Sequence, residues 1–364
     1  MTFDMSSFPQ NLFGDLLVRV LEQRASGTTC VSARLPASKA EFPKLLCLDL
    51  NKWVDLGRAH YGRPGGESFQ DALASVRRAV DAGRLVVPIM AENALEVTNG
   101  KDEGRRRRLA EFMVGLTMNH STLHSVVLEA HELDRAVATV YCEQADAPLL
   151  RPRVLERGLG AAMMGGTPRI PADTPQLEEV VREVFLQPEI SIGVLSQPTA
   201  PKALDEYRSD NRSIAAVLDG IRRVDASLAV GQRKRHELTN LFRQGSAAAR
   251  LQACLRCRGI QEDAFYQWLW SGDRLLQFAE AVPGIDVLGT LMLHKDRNLD
   301  AAVHPNDGQD LFFLRVALPY ANVVVTENSW AHLANATGLA EKYGTIVVAS
   351  AQRLSDILAK EGCV

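Results

Sequence analysis

The chain has 364 residues, 46% hydrophobic and 23% charged, a composition that fits a globular protein with one large domain or two ordinary ones. Its formal net charge of −3 excludes a whole-molecule attraction to polyanions, so any nucleic-acid contact must come from a local basic patch. The six cysteines are sparse and irregular, MTFDMSSFPQ lacks the pattern of a secretory signal, and no stretch has the apolar length of a membrane span; a cytoplasmic protein with reduced thiols is expected.

Leu12, Phe13, Leu16, Leu17, Val20 and Leu21 recur at three- and four-residue spacing, which predicts an amphipathic helix at the start. Leu45-Leu46-Cys47-Leu48 is too short for a helix and ends at the polar pair Asp49 and Asn51, so it predicts a buried strand. A helix follows from about Asn51, a Gly/Pro-rich loop spans Tyr61 to Gly66, and another helix runs through Val76 and Val80 to Gly83. Leu85-Val86-Val87-Pro88 predicts a second strand, and two further helices carry Glu92/Glu96 and the run Arg105–Arg108.

From about Leu128 to Leu291 helical patterns dominate, interrupted by a Gly- and Pro-rich loop from Gly158 to Thr174 and without a fixed repeat. The α/β character returns near the end. Asp310 to Leu318 reads as a helix, Asn322 to Thr326 as a β-branched strand, Ser329 to Ala336 as a helix, Thr345 to Val348 as a strand and Leu354 to Leu358 as a last helix. The expected fold class is α/β: a parallel sheet flanked by helices and assembled from both ends of the chain. Residues 41–127 and 300–364 would form that domain, 1–40 an N-terminal helical segment and 128–299 a large, mainly α-helical insertion.

Acidic residues gather around the predicted strand ends. Asp49 closes the first strand, where open α/β sheets place ligands, and the amide of Asn51 could orient it; capping the next helix is the competing role. Glu92 and Glu96 share one helix face, and for Glu92 a solvated position is expected. Asp307 and Asp310 open the helix before the Val-rich strand, where the helix dipole alone favours acids. Glu327 follows Thr326 at that strand's carboxyl end. Carboxylates crowded at one sheet edge repel one another unless a cation compensates, and Mg²⁺ or Mn²⁺ suits an oxygen-only site.

Leu48-Asp49-Leu50-Asn51-Lys52-Trp53-Val54-Asp55-Leu56 resembles the opening strand and turn of PIN-like nucleases. Pro88 followed by Glu96 is similar to the family's second element, and Asp310 to Asn328 to its third, an acid, an apolar helix and a strand ending in Thr. The resemblance covers roughly Lys44–Thr117 and Pro305–Leu358. It implies a PIN-like fold and a Mg²⁺- or Mn²⁺-dependent endonuclease that hydrolyses phosphodiester bonds, with RNA favoured over DNA. The metal-site acids would be Asp49, Glu96 and Asp310, with Glu327 a fourth catalytic acid and Asn51, Asp307, Thr326 and Asn328 in support. Toxins and defence factors are among the family's members. Two departures stand out: Asn328 occupies a position where the family often has an acid, and the helical insertion is foreign to small PIN domains. A catalytically inactive PIN-like scaffold, using the insertion to bind a protein partner or a second copy of the chain, is the alternative.

Arg105, Arg106, Arg107 and Arg108 could contact phosphates, or form a solvated face offset by Asp102, Glu103 and Glu111; Arg233-Lys234-Arg235-His236 has the same two readings. Cys254 and Cys257 have metal-ligand spacing without a second pair, and two packed thiols are expected instead. His131-Glu132 lacks the second His of a zinc-protease motif, Arg135 standing in its place, and no phosphate loop or nucleophile elbow is present. Trp268, Trp270 and Tyr266 could stack on bases, though core aromatics are the commoner use.

Overall fold

Strand β1 (Lys44–Leu48) is buried along its whole length, which its apolar sequence KLLCL permits only at the centre of a sheet. It lies between β2 (Leu85–Val86) and β5 (Val323–Val325), and β6 (Ile346–Val348) completes a four-stranded, wholly parallel sheet of order β2-β1-β5-β6. The computed structural model describes residues 16, 18–20, 22, 39–144, 154–163, 175–198, 219, 220, 223, 228–243, 246–295, 303, 304 and 306–364.

Period-two alternation along β1 divides the core. Leu46 and Leu48 face one apolar layer, and Leu45 and Cys47 face the other. The first layer is built by α1 (Leu50–His60), α2 (Gln70–Asp81), α3 (Ala91–Thr98) and α4 (Glu103–Leu116), through residues such as Trp53, Leu56, Val76, Val97 and Met113. Leu16 and Val20 join that layer, while the other apolar positions expected in the N-terminal helix lie outside the described residues.

After α4 comes a small antiparallel pair, β3 (His120–Thr122) and β4 (Leu155–Arg157), with α5 (Ser125–Ala136) between them. His120–Thr122 and Leu155–Arg157 are short and mainly polar, without the apolar run that marks the strands of the main sheet, and neither was expected. A short helix, α6 (Leu159–Met163), occupies the start of the expected Gly- and Pro-rich loop; residues 164–174 lie outside the described residues. Helices α7 (Pro175–Phe185) and α8 (Pro188–Ser196) return to the first apolar layer through Val184, Ile190 and Leu195.

Helices α9 (Val230–Arg243), α10 (Ser246–Cys257), α11 (Glu262–Leu269) and α12 (Arg274–Glu280) surround a third apolar cluster containing Leu133, Phe242, Phe265 and Phe278. Helix α13 (Pro283–Lys295) passes from that cluster, through Ile285, to the second layer, through Val287 and Leu291. There it meets α14 (Asp307–Tyr320) and α15 (Asn328–Ala336). Helices α16 (Leu339–Lys342) and α17 (Leu354–Lys360) complete the chain.

Buried ion pairs and hydrogen bonds join the helical segment to α5 and α14. Glu129 on α5 pairs with Arg315 on α14 and accepts from Arg250 Nε at 2.7 Å, while Glu132 accepts from Tyr320 and from Gly284 N–H at 2.8 Å. These contacts fix the position of α14, and so of the acid at its start. No single helix among the described residues is long and apolar enough to cross a membrane.

Candidate functional site at the sheet's carboxyl edge

The strand order sets the site. From β1 the chain moves outward to β2, and from β5 it moves outward to β6 in the opposite direction. The carboxyl ends of β1 and β5 therefore flank a topological switch point, the crevice where open α/β sheets bind ligands. Leu48 pairs with Val325, and the next backbone contact, Asp49 N–H to Val325 O at 2.9 Å, sets Asp49 beside Thr326.

Asp49 serves as the N-cap of α1, and its Oδ1 accepts from Leu50 N–H at 2.6 Å. The capping role and the site role are therefore not exclusive. Asp49 is buried, and among the described residues its Oδ2 has no hydrogen-bond partner, nor has the buried Thr326 Oγ1. An unpaired carboxylate oxygen in such a place is costly unless a donor or a cation reaches it.

The other acids arrive on separate elements. Asn93 Nδ2 donates to Leu48 O at 2.7 Å, which ties α3 to the end of β1; Glu96 lies three residues later on the same helical face. Asp310 stands in the first turn of α14, where its Oδ2 accepts from Trp330 Nε1 at 2.8 Å. Glu327 occupies the N-cap position of α15 but makes no side-chain cap; its Oε1 accepts instead from Asn51 Nδ2 at 2.9 Å. Asn328, the first residue of α15, is exposed. Asp307 accepts from His304 N–H at 2.6 Å and pairs with Lys295, whose ammonium lies 4.5 Å from the centre of the Trp330 ring.

The four carboxyl groups lie within electrostatic reach of one another. Burial, then Asp49, Asp310 and Glu327, pushes Glu96 up to about 8. Burial likewise raises Asp310 to about 7, against the Trp330 hydrogen bond, with Asp49, Glu327 and Asp307 adding to the rise. Asp49 rises to about 6, mainly by burial, with the Leu50 hydrogen bond opposing and Glu327 contributing. Paired titratable groups perturbed in this way mark functional sites more often than ordinary surfaces.

Proximity is not the same as ligation. Among the described residues, no group of three or more His, Cys, Asp or Glu side chains is arranged to hold a metal ion. The two findings are compatible, because charges interact over distances well beyond the roughly 2.0–2.6 Å of Mg²⁺ or Ca²⁺ coordination. Asp49, Asp310 and Glu327 each direct one oxygen to a donor of their own.

Compared with protein-family models, curated proteins and solved structures, the chain has no significant match.

Several expectations need correction. Glu92 is not solvated: it is buried, and its Oε1 accepts from Ser125 N–H at 2.8 Å at the start of α5. Arg106 is buried and donates to the carbonyls of Gly100 and Ser196, holding α8 on α4, so it is not available to a phosphate. Arg107 pairs with Glu111 at 3.0 Å. In the second basic run, Arg235 donates to Gly272 and Trp270 carbonyls, and Lys234 lies 3.9 Å from Asp286. Cys254 and Cys257 are free thiols on α10; Cys254 is half-buried, whereas Cys257 is exposed rather than packed.

Trp330, Asn93 and Lys295 were missed. Trp330 in the first turn after a strand offered a faint signal, since a large ring there reaches the neighbouring helix. Asn93 and Lys295 offered none.

Proposed function

We propose that this chain is a PIN-like, divalent-metal-dependent nuclease that hydrolyses phosphodiester bonds, with RNA the favoured substrate. The observation that carries this reading is the placement of Asp49, Glu96, Asp310 and Glu327 on elements that meet at the switch point, held there by Asn93 on Leu48, Trp330 on Asp310 and Asn51 on Glu327. The parallel sheet built from both ends of the chain supports it. So does the unpartnered Asp49 Oδ2, which fits the hard, oxygen-only donor set that Mg²⁺ and Mn²⁺ prefer.

Asp49, Glu96 and Asp310 would hold the cation, with Glu327 as a fourth acid. When bound, a divalent ion supplies a Lewis acid for phosphoryl oxygens and makes water a better nucleophile. The protein's part is orientation and charge. Trp330 fixes the rotamer of Asp310, Asn51 that of Glu327, and the α1 cap that of Asp49. Burial and its acidic neighbours push Glu96 up to about 8, so it would have to give up its proton to hold a cation.

Purified protein is expected to cut single-stranded RNA with Mn²⁺, and Asp49→Asn or Asp310→Asn to abolish cutting. Wild-type activity in both variants would remove this mechanism. A second reading, a PIN-like scaffold without catalysis that assembles through its helical segment, is favoured by one observation: the acids are not at ligating spacing. It predicts an intact fold with no cleavage of any nucleic acid.

A further inference from the structure

A second cluster of like charge lies along α1 from the acids. Val54 and Arg58 on α1, Tyr61 and Arg63 in the following loop, and Arg105 and Arg108 on α4 line one open pocket of about 330 Å³. Four arginines thus line one pocket in a protein whose formal net charge is −3. Asp55, 3.4 Å from Arg58, is the nearest carboxylate partner of any of the four among the described residues. Arg63, Arg105 and Arg108 form no ion pair there, and all four arginines are exposed. The absence of an ion pair distinguishes Arg63, Arg105 and Arg108 from Arg106 and Arg107, whose heads are already committed.

The pocket is built, not incidental. Arg63 N–H donates to Arg58 O at 2.9 Å and Gly66 N–H to Arg63 O at 3.0 Å, which folds the loop back on α1. Gly66 lies so close that a Cβ there would come within 2.5 Å of Ala59 N, so only glycine allows this approach. Tyr61 Oη donates to Arg108 O at 2.9 Å and ties the loop to α4. Guanidinium groups held together by a fixed backbone repel one another, and the ligand that relieves this is a multiply charged oxyanion able to accept several forked donors.

The position relative to the acids narrows the ligand. Asn51, Val54 and Arg58 follow i, i+3, i+7 spacing and share one stripe of α1. Asn51 touches Glu327 of the acid cluster at one end of the stripe, and Arg58 enters the pocket at the other. The rise of an α-helix puts Arg58 roughly 13 Å from Asp49 along the axis, a span that a few nucleotides cover. We infer that this pocket grips backbone phosphates of a single-stranded RNA whose neighbouring segment lies over the acid cluster. The inference rests on the nuclease reading for its substrate, but not on catalysis for its test.

The test is binding of a fluorescein-labelled single-stranded octaribonucleotide to the full chain in EDTA, by anisotropy over a salt series. The double variant Arg105→Glu/Arg108→Glu is expected to weaken binding by roughly tenfold or more, and to reduce the magnitude of the salt slope by about 1.4, since each single-strand phosphate contact contributes about 0.7. Arg63→Ala, at an exposed loop position, should show a smaller loss in the same direction. A dinucleotide, which offers the pocket fewer phosphates, should bind wild type more weakly than the octamer and with a shallower salt slope. Wild-type affinity and slope in the double variant, its circular dichroism unchanged, would overturn the inference. Binding that needs the arginines, with no cleavage under Mn²⁺, would uphold the pocket and sink the nuclease. Cleavage lost in Asp49→Asn while the arginine variants bind normally would do the reverse.

Discussion

Asn51 Nδ2 donates to Glu327 Oε1 at 2.9 Å, joining residues 276 positions apart at the carboxyl edge of the sheet. The bond is exposed, so its removal costs little stability, on the order of 1 kcal/mol or less. Its predicted role is to aim Glu327. Asn51→Ala should leave the melting temperature within a few degrees of wild type and lower the turnover of RNA cleavage, with Asn51→Gln recovering part of it. A variant that melts early and cleaves normally would make the contact merely structural.

Crowded, buried acids cost stability in the free protein. Glu96→Gln removes the group on which burial and three neighbouring carboxylates bear together, while keeping its shape. In EDTA at about pH 8 the variant is expected to melt higher than wild type, by a few degrees. The same change should abolish Mn²⁺-dependent cleavage. A lower melting temperature would mean that Glu96 makes a stabilising contact and is not held under repulsion.

The pH dependence has a definite sign. Asp49, Asp310 and Glu96 are raised in the folded state, to about 6, 7 and 8, so the folded chain holds protons that the unfolded chain has already released. Their contribution is greatest below the ordinary carboxylate range and is lost as pH rises through these values. Glu132, raised to about 7 by burial, acts in the same direction, so the difference between wild type and Glu96→Gln isolates the site. Melting curves in EDTA should show that difference widening from about pH 5 to pH 8 and levelling off above it. Parallel curves across this range would contradict the assignment.

Much of the framework was legible in the sequence. The expected strands at Leu45, Leu85, Asn322 and Thr345 all appear, because each is a short β-branched or leucine-rich run. The acids at the strand ends could be picked out for the same reason, since chain polarity dictates where a strand's carboxyl end lies. Their partners could not. Trp330 reaches Asp310 across 20 positions, and Arg106 reaches Ser196 across 90. Glu92 read as solvated because periodicity shows which face of a helix is polar, not that a second helix start would cover it.

Glu129 and Arg315 form a pair that was equally hidden, both buried and joined by Arg250. Removing one partner strands the other charge in the interior. Glu129→Gln should cost about 3–5 kcal/mol in urea unfolding, and the double change Glu129→Leu/Arg315→Met much less than either single change. A loss below about 0.5 kcal/mol, as at an open surface, would show that the pair is not desolvated.

Titration calorimetry with MnCl₂ tests most directly whether acids from opposite ends of the chain act as one site. Wild type should give a saturable isotherm with proton release that grows as the buffer pH falls from about 8. Asp49→Asn, Glu96→Gln and Asp310→Asn should each weaken it strongly. A folded wild-type protein that takes up no Mn²⁺, or variants that bind it as wild type does, would contradict the account.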